Sequence, residues 1–309
     1  MTRRDCHDGR VPRLVIPPSF ATRAPRLLGP ESQPWLAALP GLADRFAREW
    51  GLEFEGEAMH GFVGVVQPAR RIDGTPVVLK LGWPHEESRD EPLALSTWAG
   101  RGAVLLLESA PEEGVQLLER LDHTRTLHTE PVLEAVEIMS ELARRLAVPA
   151  PPELSRTLTG EAERFLEELP KSWHDLGGPF PRRELDAALA VCRDLGPTAG
   201  ALLVNEDLHY ENVLAARREP WLVIDPKPIA GDLEYGVFSL LWNRFDESTV
   251  DAKLAATGLD PDRARAWTLV RAVQNRLWFE SDLRDFTDLG DEQPSSAALP
   301  ALTARACES

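Results

Sequence analysis

Residues 204–228, VNEDLHYENVLAARREPWLVIDPKP, place two carboxylates and an amide around short apolar runs. The runs ALLV and WLVI are typical of short buried strands. Asp207 follows the first run, Asn212 comes five residues later, and Asp225 ends the second run. Carboxylate and amide oxygens are hard donors of the kind that magnesium prefers. The stretch therefore suggests a site for magnesium and phosphate.

Phosphoryl transfer makes few covalent demands on a protein. It needs a metal ion held against the phosphates, a cation on other phosphate oxygens, and an acceptor hydroxyl placed in line. Asp207 could accept a hydrogen bond from such a hydroxyl, while Asn212 and Asp225 could ligate magnesium. An aspartate that ends an apolar strand is otherwise often a turn residue.

A lysine in an apolar strand could supply the cation. Lys80 lies among valines and leucines in PVVLKL, residues 76–81. Because an ammonium is costly to bury unless an anion meets it, this position indicates a phosphate contact. Glu91, on the helix expected after this strand, could hold Lys80 by a charge-assisted hydrogen bond. The alternative is a lysine on an edge strand that faces water.

Length and charge limit the possible functions. The chain has 309 residues, 43% of them hydrophobic, which is enough for two compact units with buried cores. The net charge of −16 argues against a nucleic-acid or anionic-membrane partner, because both depend on clustered Lys and Arg. A cationic small molecule would be attracted, although acidity that only maintains solubility explains the charge equally well.

Cysteine usage and the N-terminal segment favour a cytoplasmic protein. Cys6, Cys192 and Cys307 lie far apart without ligand spacing, so neither a disulfide framework nor a zinc site is indicated. The first 20 residues lack the apolar segment of a signal peptide, and no apolar run reaches membrane-spanning length.

The pattern along the chain predicts an α+β protein in three parts. Residues 1–30 are rich in Arg and Pro without periodicity and are expected to form an extended or poorly ordered arm. Residues 31–121 predict a small antiparallel β lobe with one important helix near residues 87–98. Residues 122–309 predict a larger, mainly helical lobe with the catalytic loop and the acceptor site. Within the first helix of the β lobe, Pro40 is expected to divide the segment.

Several motifs occur together in one order. They closely resemble the aminoglycoside/hydroxyurea phosphotransferase family, whose familiar members are the streptomycin 6-phosphotransferases. The resemblance covers roughly residues 34–290. It rests on D-L-H-x-x-N-V-L-A-A at 207–216, E-P-W-L-x-I-D-P-K at 219–227, G-D at 231–232, VVLKL with Lys80, E-x-x-A-L at 91–95 and LLERL at 117–121.

The resemblance implies a bilobal protein-kinase-like fold with ATP bound between the lobes. It implies that Asp207 is the catalytic carboxylate, that Lys80 contacts the α and β phosphates, and that Asn212 and Asp225 hold Mg²⁺.

The same likeness implies further nucleotide contacts. Adenine would lie against the backbone of a hinge near Glu119 and Leu121. The phosphate-covering hairpin corresponds to HGFVGVVQ at residues 60–67, where Gly61 and Gly64 permit close backbone approach. Two glycines are a weak signal by themselves.

The chain departs from the family pattern in the catalytic loop. The usual H-G-D is Asn205-Glu206-Asp207 here, and Glu211 replaces a further glycine. Asn205 can replace one hydrogen bond of an imidazole but not its bulk. Glu206 places a second carboxylate beside Asp207, which tends to raise one pKa and could help bind a cation. His209 is interpreted as a structural histidine of this loop.

Three functions remain open at this stage. The first is an ATP-dependent kinase that phosphorylates a hydroxyl of an aminoglycoside such as streptomycin. The second is a kinase of another small molecule, such as hydroxyurea or a sugar. The third is a kinase-like protein that binds without turnover, because of Asn205 and Glu206. No oligomeric state is predicted. Acidic residues of the helical lobe would hold a cationic acceptor, with Glu206, Asp246, Glu247, Glu280, Asp282 and Asp285 as candidates.

Overall fold

The computed structural model describes residues 13–282 and 298–307, which divide into two compact units. The first unit comprises the described residues up to His85 together with Leu105–Arg120. The second unit comprises Glu86–Val104 and the described residues from Leu121 onward.

The first unit is an antiparallel sheet with two helices. The strands follow the order β1-β3-β4-β6-β5, and β2 pairs with β3. The elements are α1 (Pro18–Leu27), α2 (Ser32–Glu49), β1 (Leu52–Phe54), β2 (Met59–His60), β3 (Gly64–Arg71), β4 (Pro76–Gly82), β5 (Leu106–Ala110) and β6 (Val115–Glu119).

Alternation along β4 separates the core of this unit from its other face. Val77, Leu79 and Leu81 are fully buried in one cluster with residues of α1 and α2, whereas Lys80 points to the opposite face and is half-buried. The position of Lys80 therefore follows from the period of two in PVVLKL.

Two expectations for the start of the chain are wrong. The extended arm predicted up to residue 30 contains α1, which buries Phe20 and Ala24. Phe20 packs edge-on against Trp35 of α2, with ring centroids 6.2 Å apart. Tertiary packing of this kind supplies most of the stability of a helix and is invisible to local propensity. Residues 1–12 of the predicted arm lie outside the described residues.

Pro40 does not divide α2, which runs without interruption from Ser32 to Glu49. A proline within a helix removes one hydrogen bond and crowds the preceding turn. Here Leu39, Ala43 and Phe46 bury one continuous face of the helix. The burial of that face offsets the local cost.

The second unit is mainly helical and contains two small antiparallel sheets, ordered β10-β9-β7 and β11-β8. Its elements are α3 (Glu86–Arg89), α4 (Glu91–Trp98), β7 (Asp122–Thr126), α5 (Val132–Leu146), α6 (Leu158–Asp175), α7 (Arg182–Leu195), β8 (Leu202–Asn205), β9 (Val213–Ala215), β10 (Trp221–Val223), β11 (Pro228–Gly231), α8 (Val237–Trp242), α9 (Val250–Thr257), α10 (Pro261–Asp282) and α11 (Ala298–Cys307).

Helix α4 was predicted to belong to the β lobe. In the structure it groups with the second unit. The Trp98 indole donates a hydrogen bond of 2.7 Å to the Leu146 carbonyl. The Asp90 carboxylate accepts one of 2.6 Å from the Ser155 backbone N–H. Both bonds join the ends of α4 to the helical part of the chain.

The core of the second unit lies around α10. The stripe Trp267, Val270, Val273 and Leu277 is buried there. Within residues 13–282 and 298–307, no helix combines the length and the apolar character that crossing a membrane requires.

Candidate active site

The pairing of β8 with β11 positions the quoted stretch. Asn205 at the end of β8 lies opposite Pro228 at the start of β11. The Glu206 N–H donates a hydrogen bond of 3.0 Å to the Lys227 carbonyl. Farther along, the Ile224 N–H donates one of 2.9 Å to the Asn212 carbonyl. The catalytic loop, defined here as residues 205–212, therefore lies against the segment that carries Asp225.

Asp207 presents a carboxylate that is 24% exposed and held from two sides. Lys227 Nζ lies 3.1 Å from its Oδ2, and the Ser239 hydroxyl lies 3.4 Å from its Oδ1. Burial acts to raise the pKa of this carboxyl, but the charges of Lys227 and His209 outweigh burial and hold the pKa well below its usual range. Asp207 is therefore ionised at neutral pH and able to accept a hydrogen bond from a hydroxyl.

Asn212 and Asp225 fit a magnesium site by their chemistry. The Asn212 Nδ2 donates to the Asp207 carbonyl at 3.4 Å, which directs the amide oxygen of Asn212 away from that carbonyl. Asp225 is exposed and follows Ile224, whose backbone N–H donates a hydrogen bond to the Asn212 carbonyl. Magnesium uses one or two such side chains together with phosphates and water.

The metal would depend on these few side chains. Within the described residues, no group of three or more His, Cys, Asp and Glu side chains could hold a metal ion. That finding agrees with a site that substrate phosphates complete, and argues against a cage made by the protein alone.

Asp225 adopts a left-handed backbone conformation with φ of 48°. Among residues other than glycine, aspartate and asparagine enter this region most readily. Such outliers often occur where a side chain must be aimed at a ligand. The turn thus brings the Asp225 carboxylate to the surface two residues after the buried Val223.

Glu206 does not face an acceptor, which corrects the sequence interpretation. Its side chain is 1% exposed and forms ion pairs with Arg156 at 2.6 Å and Arg271 at 2.5 Å. Arg156 also pairs with Glu161, and Arg271 also donates to the Tyr235 hydroxyl. Both oxygens of Glu206 are therefore used internally. The neighbouring Glu206 therefore does not raise the pKa of Asp207, which the charges of Lys227 and His209 lower.

Glu211 of the catalytic loop pairs with two histidines, one within the loop and one outside it. His209 Nδ1 lies 2.9 Å from one carboxylate oxygen of Glu211, and His128 pairs with the other. Burial acts to lower the pKa of His209, but the hydrogen bond to Glu211 and the charge of Asp207 raise it above the usual value. This geometry is compatible with a structural histidine.

Lys80 lies on a central strand of the first unit. It pairs with Val66 of β3 on one side and Gln116 of β6 on the other. The edge-strand alternative is therefore wrong. Glu91 is buried in the first turn of α4, in the second unit, so the pairing of Lys80 with Glu91 stays a prediction.

The glycine hairpin is defined here as β2, β3 and the turn between them. The Gly61 N–H donates a hydrogen bond of 3.0 Å to the Gly64 carbonyl and closes the turn. A Cβ on Gly64 would lie 2.9 Å from the Leu81 carbonyl oxygen, whereas one on Gly61 would meet no heavy atom within 4 Å. Of the two glycines, only Gly64 is required by close backbone approach.

Helix α1 contacts the tip of this hairpin, which sequence reasoning missed. Arg23 donates a hydrogen bond of 2.8 Å to the Gly61 carbonyl and lies over the Phe62 ring. Ser19 and His60 share a hydrogen bond of 2.8 Å. An arm assumed to be extended offered no signal for these contacts.

The predicted hinge residues lie at the junction of the two units in sequence. Glu119 ends β6, and its carboxylate accepts a hydrogen bond of 2.8 Å from the Leu105 N–H. Leu121 is the first residue of the following segment of the second unit.

Three of the acidic acceptor candidates, Asp246, Glu247 and Glu280, are exposed. Asp246 and Glu247 follow α8, the helix whose Ser239 contacts Asp207. Asp246 binds the backbone N–H and the hydroxyl of Ser248. Glu280 is exposed near the end of α10. The side chain of Asp282 and all of Asp285 lie outside the described residues.

Sequence reasoning also missed several side chains that contact Asp207 or Glu206. Lys227 carries a usable signal, because it follows Asp225 within the same motif. Ser239, Arg156 and Arg271 lie in distant segments of no distinctive local pattern and become neighbours only in the fold.

Comparisons with known proteins identify the family of the chain. A model of the family described as aminoglycoside/hydroxyurea antibiotic resistance kinase matches residues 49–282. The chain is 41% identical over 281 residues to the hydroxyurea phosphotransferase of Kitasatospora aureofaciens, which covers 88% of this chain and 83% of that one. It is 39% identical over 279 residues to the streptomycin 6-kinase of Streptomyces glaucescens, which covers 86% of this chain and 91% of that one.

A likeness to solved structures concerns the fold. A choline kinase from Streptococcus pneumoniae matches with a TM-score of 0.56 at 13% identity, over 88% of this chain and 98% of that chain. The expected α+β, protein-kinase-like fold is confirmed.

Proposed function

Because the chain belongs to the aminoglycoside/hydroxyurea antibiotic resistance kinase family, and is thus a small-molecule kinase that draws on ATP, we propose that it transfers the γ-phosphate to a hydroxyl of an aminoglycoside such as streptomycin. One observation carries this proposal. The ionised Asp207 carboxylate is held by Lys227 and lies on a loop tied to the segment of Asp225.

In this proposal Asp207 orients the acceptor hydroxyl. A carboxylate with a depressed pKa is a weak proton acceptor in the ground state, so its main contribution is to accept the hydroxyl's hydrogen bond and align its oxygen. Asn212 and Asp225 would hold Mg²⁺, which would neutralise charge on the phosphates when bound. Ser239 keeps the other carboxylate oxygen in place.

Most of the nucleotide contacts are assigned to the first unit. Lys80 would contact the α and β phosphates with its ammonium. Gly61 and Gly64 would let backbone N–H groups approach phosphate oxygens. Backbone groups near Glu119 and Leu121 would receive the adenine. A kinase that depends on ATP is expected in the cytoplasm.

A cationic acceptor suits the charge of the protein. The net charge of −16 favours the approach of a cation, and exposed Asp246 and Glu247 follow the helix that touches Asp207. The substitutions Asp246→Asn and Glu247→Gln should raise the KM for streptomycin and leave the KM for ATP unchanged. Unchanged acceptor kinetics would remove these two residues from the site.

Phosphorylation of hydroxyurea is a second candidate, favoured by the 41% identity to a hydroxyurea phosphotransferase. Hydroxyurea is neutral, so its KM should not depend on acidic side chains. The Asp246→Asn and Glu247→Gln variants therefore distinguish the two acceptors as well as testing the first.

The decisive experiment measures ADP release from magnesium-ATP with streptomycin, other aminoglycosides and hydroxyurea. Release that depends on streptomycin, and that falls by about 10²–10⁴-fold in Asp207→Ala, is the expected result. The matched control is Asp186→Ala, which changes an exposed aspartate of α7. Turnover of hydroxyurea alone would select the second candidate. ATP binding without turnover of any acceptor would overturn both and favour a non-catalytic binding protein.

A further inference from the structure

The buried amide of Asn205 joins two backbone segments. Its Oδ1 accepts hydrogen bonds of 3.0 Å from the N–H of Asp207 and 3.0 Å from the N–H of Lys227. A carbonyl oxygen has two lone pairs, and both are used here. The first donor lies in the catalytic loop, and the second directly follows the turn that presents Asp225. One side chain therefore fixes the spacing of two parts of the site that are 22 residues apart in the chain.

Lys227 closes this connection through its side chain. Its N–H binds Asn205, its carbonyl accepts from the Glu206 N–H, and its Nζ lies 3.1 Å from Asp207 Oδ2. The bond from the Asp207 N–H to Asn205, the pair of the Asp207 carboxylate with Lys227 Nζ, and the bond from the Lys227 N–H to Asn205 together form a ring. The direction of the Asp207 carboxylate thus depends on both residues.

Apart from the two hydrogen bonds that Oδ1 accepts, the surroundings of Asn205 do not favour an amide. Asn205 is 6% exposed and lines a cavity of about 30 Å³ with apolar neighbours such as Met139 and Leu240. Within the described part of the chain its Nδ2 is buried without a hydrogen-bond partner. An unsatisfied buried donor costs roughly 1–3 kcal/mol, so the two bonds made by Oδ1 account for the residue.

We propose that Asn205, Lys227 and Asp207 form an amide clamp. In this clamp Asn205 and Lys227 position the Asp207 carboxylate for phosphoryl transfer. The proposal rests on the proposed function for its kinetic consequences. Neither Asn205 nor Lys227 is assigned a contact with the nucleotide base. Loss of the clamp should therefore act on the transfer step and leave ATP binding largely unchanged.

Two single substitutions test the clamp. Asn205→Leu keeps the branched shape of the side chain and removes the acceptor, and Lys227→Met keeps most of the length and removes the ammonium. Each should lower kcat by about 10²-fold, the effect of a small misplacement of a reacting group, with the KM for ATP nearly constant. Asn205→Asp retains the acceptor oxygens and Lys227→Arg retains the cation, so each should recover most of kcat.

The double variant distinguishes one device from two independent residues. If the clamp acts as a unit, Asn205→Leu combined with Lys227→Met should lower kcat little further than either change alone. Multiplied effects, or single variants with unchanged kcat, would overturn the proposal. Controls are Asn275→Leu, an asparagine whose Nδ2 donates to the Arg271 carbonyl in its own helix, and Lys171→Met, an exposed lysine of α6.

A second measurement does not depend on turnover. Hydrogen exchange at the amides of Asp207 and Lys227 should speed up by about 10-fold or more in Asn205→Leu, because each N–H loses its acceptor. Amides in α7 should exchange as in the wild type. If no acceptor is turned over, the proposed function fails, but this exchange still decides whether the clamp exists. Unchanged exchange at both amides would overturn it. Asn205→Ala, which also removes the acceptor oxygen, provides the test in a second variant if Asn205→Leu does not fold.

Discussion

The glycine hairpin of the first unit and the catalytic loop of the second unit are fixed by different kinds of contact. The hairpin tip meets α1 through Arg23 at the protein surface, and Phe62 at the tip is 40% exposed. The catalytic loop is held by ion pairs that its own buried residue Glu206 forms with Arg156 and Arg271.

These contacts differ greatly in strength. Exposed polar contacts contribute about 0–1 kcal/mol each, whereas removal of one partner of a buried ion pair costs about 3–5 kcal/mol. The difference predicts that the glycine hairpin moves more readily than the catalytic loop. The contacts that position the catalytic loop therefore also stabilise the fold of the second unit.

Breaking the buried ion pairs should have the largest effect. Arg271→Met leaves Glu206 with one guanidinium partner and should lower the free energy of unfolding by about 3–5 kcal/mol. Urea unfolding measures this change, and Arg182→Met, at an exposed pair on α7, is the control. A loss below about 1 kcal/mol would show that the network contributes no more than a surface pair.

Backbone approach in the hairpin should have the next largest effect. Gly64→Ala places a methyl group 2.9 Å from the Leu81 carbonyl and 3.1 Å from Gly82 Cα, so the two strands must separate. We expect a loss of about 1–3 kcal/mol in the free energy of unfolding and a raised KM for ATP. Gly61→Ala is the matched control, since it meets no heavy atom within 4 Å. Equal effects of the two substitutions would contradict the assigned role of Gly64.

A buried lysine beneath the catalytic loop should make stability depend on pH. Lys253 is fully buried, donates to the Arg244 carbonyl at 2.8 Å and lies over the Tyr210 ring. Burial, with the nearby charge of Arg244, lowers the pKa of Lys253 from 10.5 to about 8. Between these values the unfolded chain binds more protons than the folded one. The free energy of unfolding should therefore rise with pH in this window.

Comparison with Lys253→Met isolates that dependence. The wild type should gain on the order of 1–2 kcal/mol relative to Lys253→Met between pH 8 and 10.5. Thermal unfolding at several pH values measures the gain. Parallel profiles for the two proteins would show that Lys253 titrates normally.

The surface contact at the hairpin tip should have the smallest effect. Arg23→Gln removes the guanidinium from the Gly61 carbonyl and from Phe62, and should lower stability by at most about 0.5 kcal/mol. The KM for ATP should rise by about 2-fold, because only the hairpin tip loosens. Arg26→Gln, an exposed change on the same helix, serves as the control. An effect as large as that of Arg271→Met would remove the contrast between hairpin and loop.

The sequence predicted the parts of the site that depend on local pattern. Asp207 and Asp225 follow short apolar strands, Asn212 directly precedes one, and the pairing of β8 with β11 brings their segments together. Lys80 follows from alternation within β4. These predictions needed only strand period and the chemistry of side chains.

Other features depend on packing between distant segments. Helix α1 is stabilised by burial of Phe20 and Ala24, which composition cannot reveal. Glu206 looked like a second free carboxylate because its partners, Arg156 and Arg271, are 50 and 65 residues away. A charge beside a catalytic residue can be interpreted only when its counter-ions are known.

The placement of those partners also sets an order of assembly. During synthesis the N-terminus of the chain leaves the ribosome first. Arg156 and Glu206 are therefore both available before Arg271 emerges. Until then the acidic side chain beneath Asp207 lacks one of its two counter-ions. A nascent chain that ends before α10 should therefore be unable to complete the catalytic loop, and phosphoryl transfer would begin only after nearly the whole protein has been made.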